Sequence, residues 1–225
     1  MKAIILAAGV GSRLHPLTQE TPKTLIEISG KPIVERIFES LPEEIDEVVL
    51  VVEHLKERVK AHLGNNFNNR KIIYVNQGDK KGTFGALLSA REFVNDDEFF
   101  LVLNGDDLHS KNELSQFLNN GRALGVQRAV MPNYYSVVVN SVSFVEKFRP
   151  QTEKEKIFGT LIATGVYVLD SEIFKQPGVV VYGGEYGLPQ TILAQKDDFP
   201  IKAIVTEKWV PINSFADIER ANKLW

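Results

Sequence analysis

The chain has 225 residues, enough for one large domain with a sizeable core, and its 44% hydrophobic and 24% charged residues exclude disordered, collagen-like and low-complexity chains. With 26 Lys+Arg against 29 Asp+Glu the formal charge is −3, so no overall positive field exists to hold a nucleic-acid backbone and any bound anion must be held locally. The absence of cysteine removes disulfides, thiolate metal sites and cysteine nucleophiles together, and fits a reducing compartment with the cytoplasm as the expected location.

The chain opens on Met1-Lys2-Ala3-Ile4-Ile5-Leu6-Ala7-Ala8, an apolar run that ends in Gly9-Val10-Gly11 and reads as a buried strand rather than a signal peptide. Strands are expected at 2–7, 46–52, 71–76 and 98–103, and helices at 33–41, 56–63, 84–94 and 113–124. This alternation predicts an α/β fold, a doubly wound Rossmann-like sheet with helices on both faces. Beyond Val126 the pattern changes to clustered strands at 129–131, 136–140, 143–148 and 161–169, which predicts a mixed sheet. Residues 149–156 are polar and non-periodic and read as an exposed loop, while the last helix, 215–225, is expected to dock through Phe215, Ile218, Ala221 and Leu224. No apolar stretch approaches the ~18 residues needed to cross a bilayer, so no membrane partner is expected.

Leu6-Ala7-Ala8-Gly9-Val10-Gly11-Ser12-Arg13-Leu14 sets two glycines and an arginine directly after the first strand, at the carboxyl edge where open α/β sheets bind ligands. Glycine lets a backbone approach an anion closely, because it lacks Cβ and takes positive φ. The same residues also fit a plain turn between strand and helix. A dinucleotide fingerprint would need Gly or Ala where Leu14 stands, and a P-loop would need Gly-Lys-Ser/Thr, which is absent. The chain instead continues through Pro16-Leu17-Thr18 and Thr21-Pro22-Lys23, where two prolines stiffen the segment and present Arg13 and Lys23 toward the same phosphates.

Taken together, LAAGVGSRLHPLTQETPKTLIEISGKPIVE closely resembles the signature of the sugar-1-phosphate nucleotidylyltransferases, or NDP-sugar pyrophosphorylases, with Gly-x-Gly-x-Arg, Pro-Leu-Thr and Pro-Lys in order. The resemblance implies a single domain over 1–225, with a nucleotide-binding half at 1–125 and a sugar-phosphate-binding half at 126–225. It implies that Leu6, Ala8, Gly9, Gly11 and Ser12 hold nucleotide phosphates. Arg13 would neutralise the leaving pyrophosphate, and Lys23 would bridge the α-phosphate and the incoming sugar phosphate.

Gln77-Gly78-Asp79-Lys80-Lys81-Gly82-Thr83 matches the base-reading segment of uridylyltransferase relatives, which implies that Gln77, Gly82 and Thr83 meet the base. A glutamine offers a donor and an acceptor to a pyrimidine edge, and uracil or thymine is expected. By themselves these residues also read as a loop glutamine before a helix N-terminus at Thr83. The strand 99–103 ends in Asn104-Gly105-Asp106-Asp107. A carboxylate there suits Mg²⁺, which takes one or two carboxylates plus substrate phosphates. Asp106 resembles the family's metal ligand, and Asp107 reads as a turn former.

In the second half Glu146-Lys147, Thr164-Gly165 and Glu185 fall on stretches that resemble the family's sugar-phosphate contacts. The chain departs from the pattern in three places. Thr164 stands for an asparagine, Ser136 for the glycine of a Tyr-Gly pair, and Trp209-Val210-Pro211-Ile212-Asn213 lacks the aspartate many relatives place after the tryptophan; resemblance to some uridylyltransferases, which use an asparagine, implies Asn213 as the second metal contact.

The activity implied is Mg²⁺-dependent transfer of a nucleotidyl group from an NTP, with UTP or dTTP favoured, to a sugar 1-phosphate. A phosphate monoester with a second pKa of ~6 is mostly dianionic at pH 7, so no general base is required. That agrees with four histidines, His15, His54, His62 and His109, which follow no catalytic pattern. Two alternatives share the motifs. A cytidylyltransferase acting on a polyol or choline phosphate would differ in NTP preference, and a non-catalytic nucleotide-sugar-binding regulatory paralogue would not be expected to keep Arg13, Lys23 and Asp106. A dinucleotide-dependent oxidoreductase is disfavoured by Leu14. The expected partners are an NTP and a sugar 1-phosphate, with no nucleic acid, and the oligomeric state is left open.

Overall fold

The runs KAIIL, EVVLVV and FLVLN carry apolar residues at nearly every position because both faces of their strands are covered. The computed structural model describes residues 1–96, 98–131 and 134–225. One sheet holds eight strands: β1 (Lys2–Leu6), β2 (Glu47–Val52), β3 (Asn66–Phe67), β4 (Arg70–Asn76), β5 (Phe100–Asn104), β6 (Ala123–Ala129), β7 (Thr160–Leu169) and β8 (Lys202–Val205). Their spatial order is β8-β6-β7-β5-β1-β2-β4-β3. β1, β2, β4 and β5 run parallel, β7 lies antiparallel between β5 and β6, β8 runs parallel to β6, and β3 closes the far edge antiparallel to β4.

Alternate side chains feed two cores. Ala3, Ile5, Val48, Leu50, Leu101 and Leu103 point to one face, and Ile4, Leu6, Val49, Val51, Phe100 and Val102 to the other. The helix Ile33–Ser40 adds Ile33, Val34, Ile37 and Phe38 to the first core. The helices Thr83–Ser89 and Leu188–Ala194 add Phe84, Leu87, Leu188 and Ile192 to the second. Each such side chain contributes about 1.5–3 kcal/mol on burial, which fixes the sheet that carries the site.

After β1 the chain runs to β2 on one side and later returns to β5 on the other, so the strand order reverses between β1 and β5. Open α/β sheets bind ligands in the crevice at such a point. Here the Gly105 amide donates to the Leu6 carbonyl at 2.9 Å, and a Cβ at Gly105 would lie 2.9 Å from Ala7 Cα, so only glycine permits the approach.

Several expected elements are corrected. The helix expected at 84–94 stops at Ser89 and is followed by a 3₁₀ turn, Arg91–Phe93. The one expected at 113–124 is helical only over Lys111–Ser115; the chain goes on in turns through Asn119-Asn120-Gly121, and Leu124 belongs to β6, which also displaces the strand expected at 129–131. The boundary expected at 125/126 falls inside β6, so the two halves share one sheet.

The strands expected at 136–140 and 143–148 form a separate antiparallel ribbon, Ser136–Val139 with Val145–Arg149. The stretch read as a loop at 149–156 holds a helix, Glu153–Phe158. It starts from a capping box in which the Thr152 amide donates to the Glu155 carboxylate at 2.9 Å and the Glu155 amide to the Thr152 hydroxyl at 3.3 Å. The last helix, Phe215–Leu224, buries Ala221 and leaves Phe215 and Leu224 exposed, a narrower contact than its spacing predicts. Among the described residues no helix is long and apolar enough to cross a membrane.

Candidate active site

The crevice between β1 and β5 opens as a cavity of about 850 Å³. The loop after β1, from Leu6 through Ala8, Gly9, Gly11 and Ser12 to Arg13, lines it. Gly11 takes φ 70°, and a Cβ there would lie 3.1 Å from Thr18 Cγ2 and 3.2 Å from Lys23 Cβ. The Thr18 hydroxyl donates to the Gly11 carbonyl at 2.8 Å and the Leu14 amide to it at 2.9 Å. Leu14, which fails the dinucleotide pattern, is buried and anchors the turn Ser12–Leu14 while Arg13 stays exposed.

A second short turn, Lys23–Leu25, begins after Pro22 and brings Lys23 back beside Gly11. The Lys23 ammonium makes a short ion pair with Asp106 Oδ2 and donates to Asn213 Oδ1 at 3.3 Å. Arg13 Nη2 donates to that same Asn213 oxygen at 2.8 Å. Four residues from separate stretches therefore meet at one point. Asn213 is held in turn by its amide, which donates to Asp217 Oδ2 at 2.9 Å, and by its side-chain Nδ2, which donates to the Tyr134 phenol at 3.1 Å. Burial first, and then the charge of Asp107, pushes the Tyr134 phenol up to about 12, so it keeps its proton at neutral pH.

Asp106 and Asn213 both direct an oxygen at one cationic centre, the Lys23 ammonium, which shows that their oxygens can serve a single cation. Among the described residues no three His, Asp or Glu side chains converge to hold a metal. The donor set, one carboxylate and one amide oxygen beside an open cavity, fits a hard ion that completes its shell with phosphates and water, as Mg²⁺ does.

Directly behind lies a buried polar layer. Asp107, read from sequence as a turn former, is buried and accepts from Trp209 Nε1 and from Asn104 Nδ2, both at 2.8 Å. Burial, with the neighbouring charge of Asp106, holds its carboxyl well above the usual carboxylate range. Thr164 and Gly165 sit at a register shift in β7. Gly165 takes φ 73°, and a Cβ there would collide with the side chains of Asp107 and Asn104. The structure thus packs Gly165 against Asp107 and buries Thr164, and it is the preceding Ala163 that lines the cavity.

The other end of the cavity carries Gln77, Gly82, Thr83 and Glu185. Gln77 Nε2 donates to the carbonyls of Lys80 and Gly82, each at 3.0 Å. The amide hydrogens are committed to its own loop, and the carbonyl oxygen is the group left to meet a base. Gly82 takes φ 89°, and a Cβ there would collide with the Tyr186 backbone. The Tyr186 amide donates to the Lys81 carbonyl at 2.8 Å, and the Thr83 hydroxyl accepts from the Leu188 amide at 2.9 Å. These bonds tie the base loop to the segment carrying Glu185. Glu53 and Lys81, 3.4 Å apart, also line the cavity.

Glu146 and Lys147 are placed elsewhere. They lie exposed on the ribbon, and Glu146 faces a separate pocket of about 320 Å³ with Phe144, Lys196 and Asp197. Sequence reading missed Asp107, Tyr134, Trp209, Glu53 and Lys81 as parts of the site. The doubled Asp106-Asp107 was a usable signal for the first; no spacing in the chain announces Tyr134.

With this geometry in place, the chain matches the family model for nucleotidyl transferases over residues 2–180. The chain belongs to the nucleotidyl transferase family. It is similar to the bifunctional protein GlmU of Methanocaldococcus jannaschii, 34% identical over 99% of this chain and 54% of that protein. The chain thus spans about half the length of that relative. It also resembles the UTP–glucose-1-phosphate uridylyltransferase AglF of Haloferax volcanii, 29% identical over 93% of this chain and 89% of that protein. Among solved structures, a UDP-glucose pyrophosphorylase complexed with UDP-glucose shares the fold with a TM-score of 0.84 at 18% identity, covering 99% of this chain and 97% of that one. A Bacillus anthracis protein assigned as a glucose-1-phosphate thymidylyltransferase and solved with a sucrose does so with a TM-score of 0.82 at 22% identity, over 100% and 94%.

Proposed function

We propose that this chain transfers a nucleotidyl group from UTP or dTTP to a sugar 1-phosphate, releasing pyrophosphate and an NDP-sugar, with Mg²⁺ as cofactor. The observation that carries this reading is the convergence of Arg13, Lys23, Asp106 and Asn213 at one end of a cavity whose other end holds Gln77 and Gly82. The relatives named for uridylyl and thymidylyl transfer support a pyrimidine nucleotide and a hexose 1-phosphate as the substrate classes.

In the reaction a sugar-phosphate oxygen attacks the α-phosphorus. A P–O bond forms there as the bond to the bridging oxygen of the β-phosphate breaks, and pyrophosphate leaves with that electron pair. The glycine loop brings backbone, free of side chains, against the nucleotide phosphates. Arg13 meets the leaving pyrophosphate. Lys23, whose side chain is only 10% exposed, brings a desolvated positive charge to the reacting phosphates, where it counts for more than in water. Mg²⁺ held by Asp106 and Asn213 would supply further neutralisation of phosphate charge. Gln77 offers its carbonyl oxygen to the N3–H of uracil or thymine.

The test is pyrophosphate release over a grid of UTP, dTTP, CTP, ATP and GTP against sugar 1-phosphates and choline phosphate, with and without Mg²⁺. Release from UTP or dTTP with a sugar 1-phosphate, lost when Mg²⁺ is removed, is the expected result. Release confined to CTP with choline or polyol phosphate, or NDP-sugar binding without turnover, would overturn it.

A further inference from the structure

Three neighbouring parallel strands, β1, β2 and β4, end side by side at the cavity. β1 leads into the glycine loop and β4 into Gln77, and β2, which lies between them, leads into Glu53. Two backbone bonds fix this order at the strand ends: the Ala7 amide donates to the Val51 carbonyl at 2.8 Å, and the Gln77 amide to the Val52 carbonyl at 3.2 Å. Adjacent strands stand about 4.8 Å apart, so Glu53 leaves the sheet between the loop read as holding the phosphates and the residue read as meeting the base. In a nucleoside triphosphate the ribose joins those two parts. The Glu53 side chain is 41% exposed and lines the cavity, with its carboxylate 3.4 Å from the Lys81 ammonium of the base loop. A carboxylate only accepts hydrogen bonds, and one ammonium leaves most of its acceptor positions open. Of the three parts of a nucleotide, the phosphates repel it and the base edge meets the Gln77 carbonyl on the next strand. The ribose hydroxyls between them are donors. Open α/β sheets that bind dinucleotides use an acidic residue in this way, on the ribose 2′-hydroxyl.

We propose that Glu53 is a specificity-determining residue, whose carboxylate accepts from the ribose 2′-hydroxyl and so sets UTP ahead of dTTP. This rests on the reading of the glycine loop and Gln77 as the two ends of the nucleotide site. Lys81 holds the carboxylate beside the base loop and offsets part of its repulsion toward the phosphates.

The experiment compares UTP with dUTP, which differ only in that hydroxyl. Each is titrated calorimetrically, with Mg²⁺, into the parent chain, Glu53→Ala and Glu53→Gln, and CTP serves as a control for the base. Because UTP and dUTP carry the same base and the same charge, their affinity ratio cancels the general effect of removing a negative charge or loosening the loop. A hydrogen bond to a partly exposed carboxylate predicts that the parent chain binds UTP roughly five- to thirtyfold more tightly than dUTP. The ratio should fall below about twofold in Glu53→Ala and lie between the two in Glu53→Gln, whose amide oxygen accepts without charge. A parent chain without preference, or the same ratio in parent and Glu53→Ala, would overturn the proposal. So would a Glu53→Ala chain that alters UTP against CTP and keeps the UTP to dUTP ratio, since Glu53 would then be a base contact. Turnover of a sugar 1-phosphate with equal binding of UTP and dUTP would leave the transferase reading standing and remove the role of Glu53. A binding preference that follows Glu53 without turnover of any sugar 1-phosphate would uphold that role while the transferase reading fails.

Discussion

The phosphate end of the cavity and the ribbon carrying Glu146 and Lys147 are built on different terms. At the phosphate end Arg13 and Asp106 leave short turns that start from buried strands and are pinned within a few residues, by Leu14 after β1 and by the Gly105 amide on Leu6 after β5, and Lys23 packs back against the first of these turns at Gly11. The ribbon lies outside the main sheet, and its pairing shifts between Val138 and Val139. Side chains alternate faces along a strand, so one residue of slippage turns a motif residue away from its target. Motif spacing therefore translates into position where the chain is tied to the parallel sheet, and loses that meaning on the ribbon.

The sharpest way to break this contrast is at Lys23. A preorganised cation at the reacting phosphates is worth about 2.7–4 kcal/mol, so Lys23→Ala should lower turnover by roughly 10²–10³. Lys23→Arg should rescue poorly, because a planar fork does not replace a compact ammonium. Asp106→Asn should cost about two orders of magnitude or more if it holds the ion. Steady-state kinetics beside thermal melting checks all three. Near-normal turnover with intact melting would place these residues outside the chemistry.

The same contrast explains why some elements are legible in the sequence and others are not. The parallel strands and the glycine loop are legible because burial on both faces writes continuous apolar runs, and the end of a buried strand fixes the place of the turn attached to it. Past Ser115 the apolar spacing of Leu114, Phe117 and Leu118 continues like a helix, yet Phe117 is buried from a turn and Asn119-Asn120-Gly121 leads into β6. The capping box at Thr152 and Glu155 is visible as Thr-x-x-Glu and marks a helix in a stretch that reads as loop from its polarity. Tyr134 and Trp209 reach the site through contacts across 79 and 102 positions, which no local pattern records.

A second effect, on stability, comes from the layer behind Asp106. Burial holds the His109 imidazole down to about 4 against an ordinary 6.5. Between those values the unfolded chain binds a proton that the folded chain refuses, so this contribution is fully present above pH ~6.5 and is lost as pH falls toward ~4. At 1.36 kcal/mol per unit it amounts to at most about 3 kcal/mol. The raised carboxyl of Asp107 acts in the opposite sense, since its folded form retains a proton that the unfolded chain releases. The net acid limb is thus the difference of the two. Denaturant midpoints measured from about pH 6.5 to 4.5 should fall less in His109→Leu than in the parent chain. Parallel curves would show that His109 does not govern the limb.

Smaller still is the expected effect at the base end. Gln77→Ala removes the acceptor offered to a base and also frees the carbonyls of Lys80 and Gly82. The loss should be about 1–3 kcal/mol, seen as a higher KM for UTP and a flatter preference over ATP and GTP. A wild-type preference for GTP would show that Gln77 does not read the base as proposed.

The smallest effect is expected on the ribbon, where the family resemblance and the geometry point in opposite directions. The resemblance assigns Glu146 and Lys147 to the sugar and its phosphate, which would make their loss costly. In the structure neither lines the main cavity, and Glu146 borders the pocket shared with Lys196 and Asp197. Exposed charges contribute about 0–1 kcal/mol, so Glu146→Ala and Lys147→Ala should each change the KM for sugar phosphate by less than about fivefold. Glu185→Ala serves as the internal comparison, because Glu185 lines the cavity on a segment bonded to the base loop and should raise that KM more than either ribbon variant does. Sugar-phosphate titrations on the three variants decide the matter. A tenfold rise for Glu146→Ala would mean that the ribbon moves onto the cavity when substrate binds, and that the motif carries its position through a change of conformation.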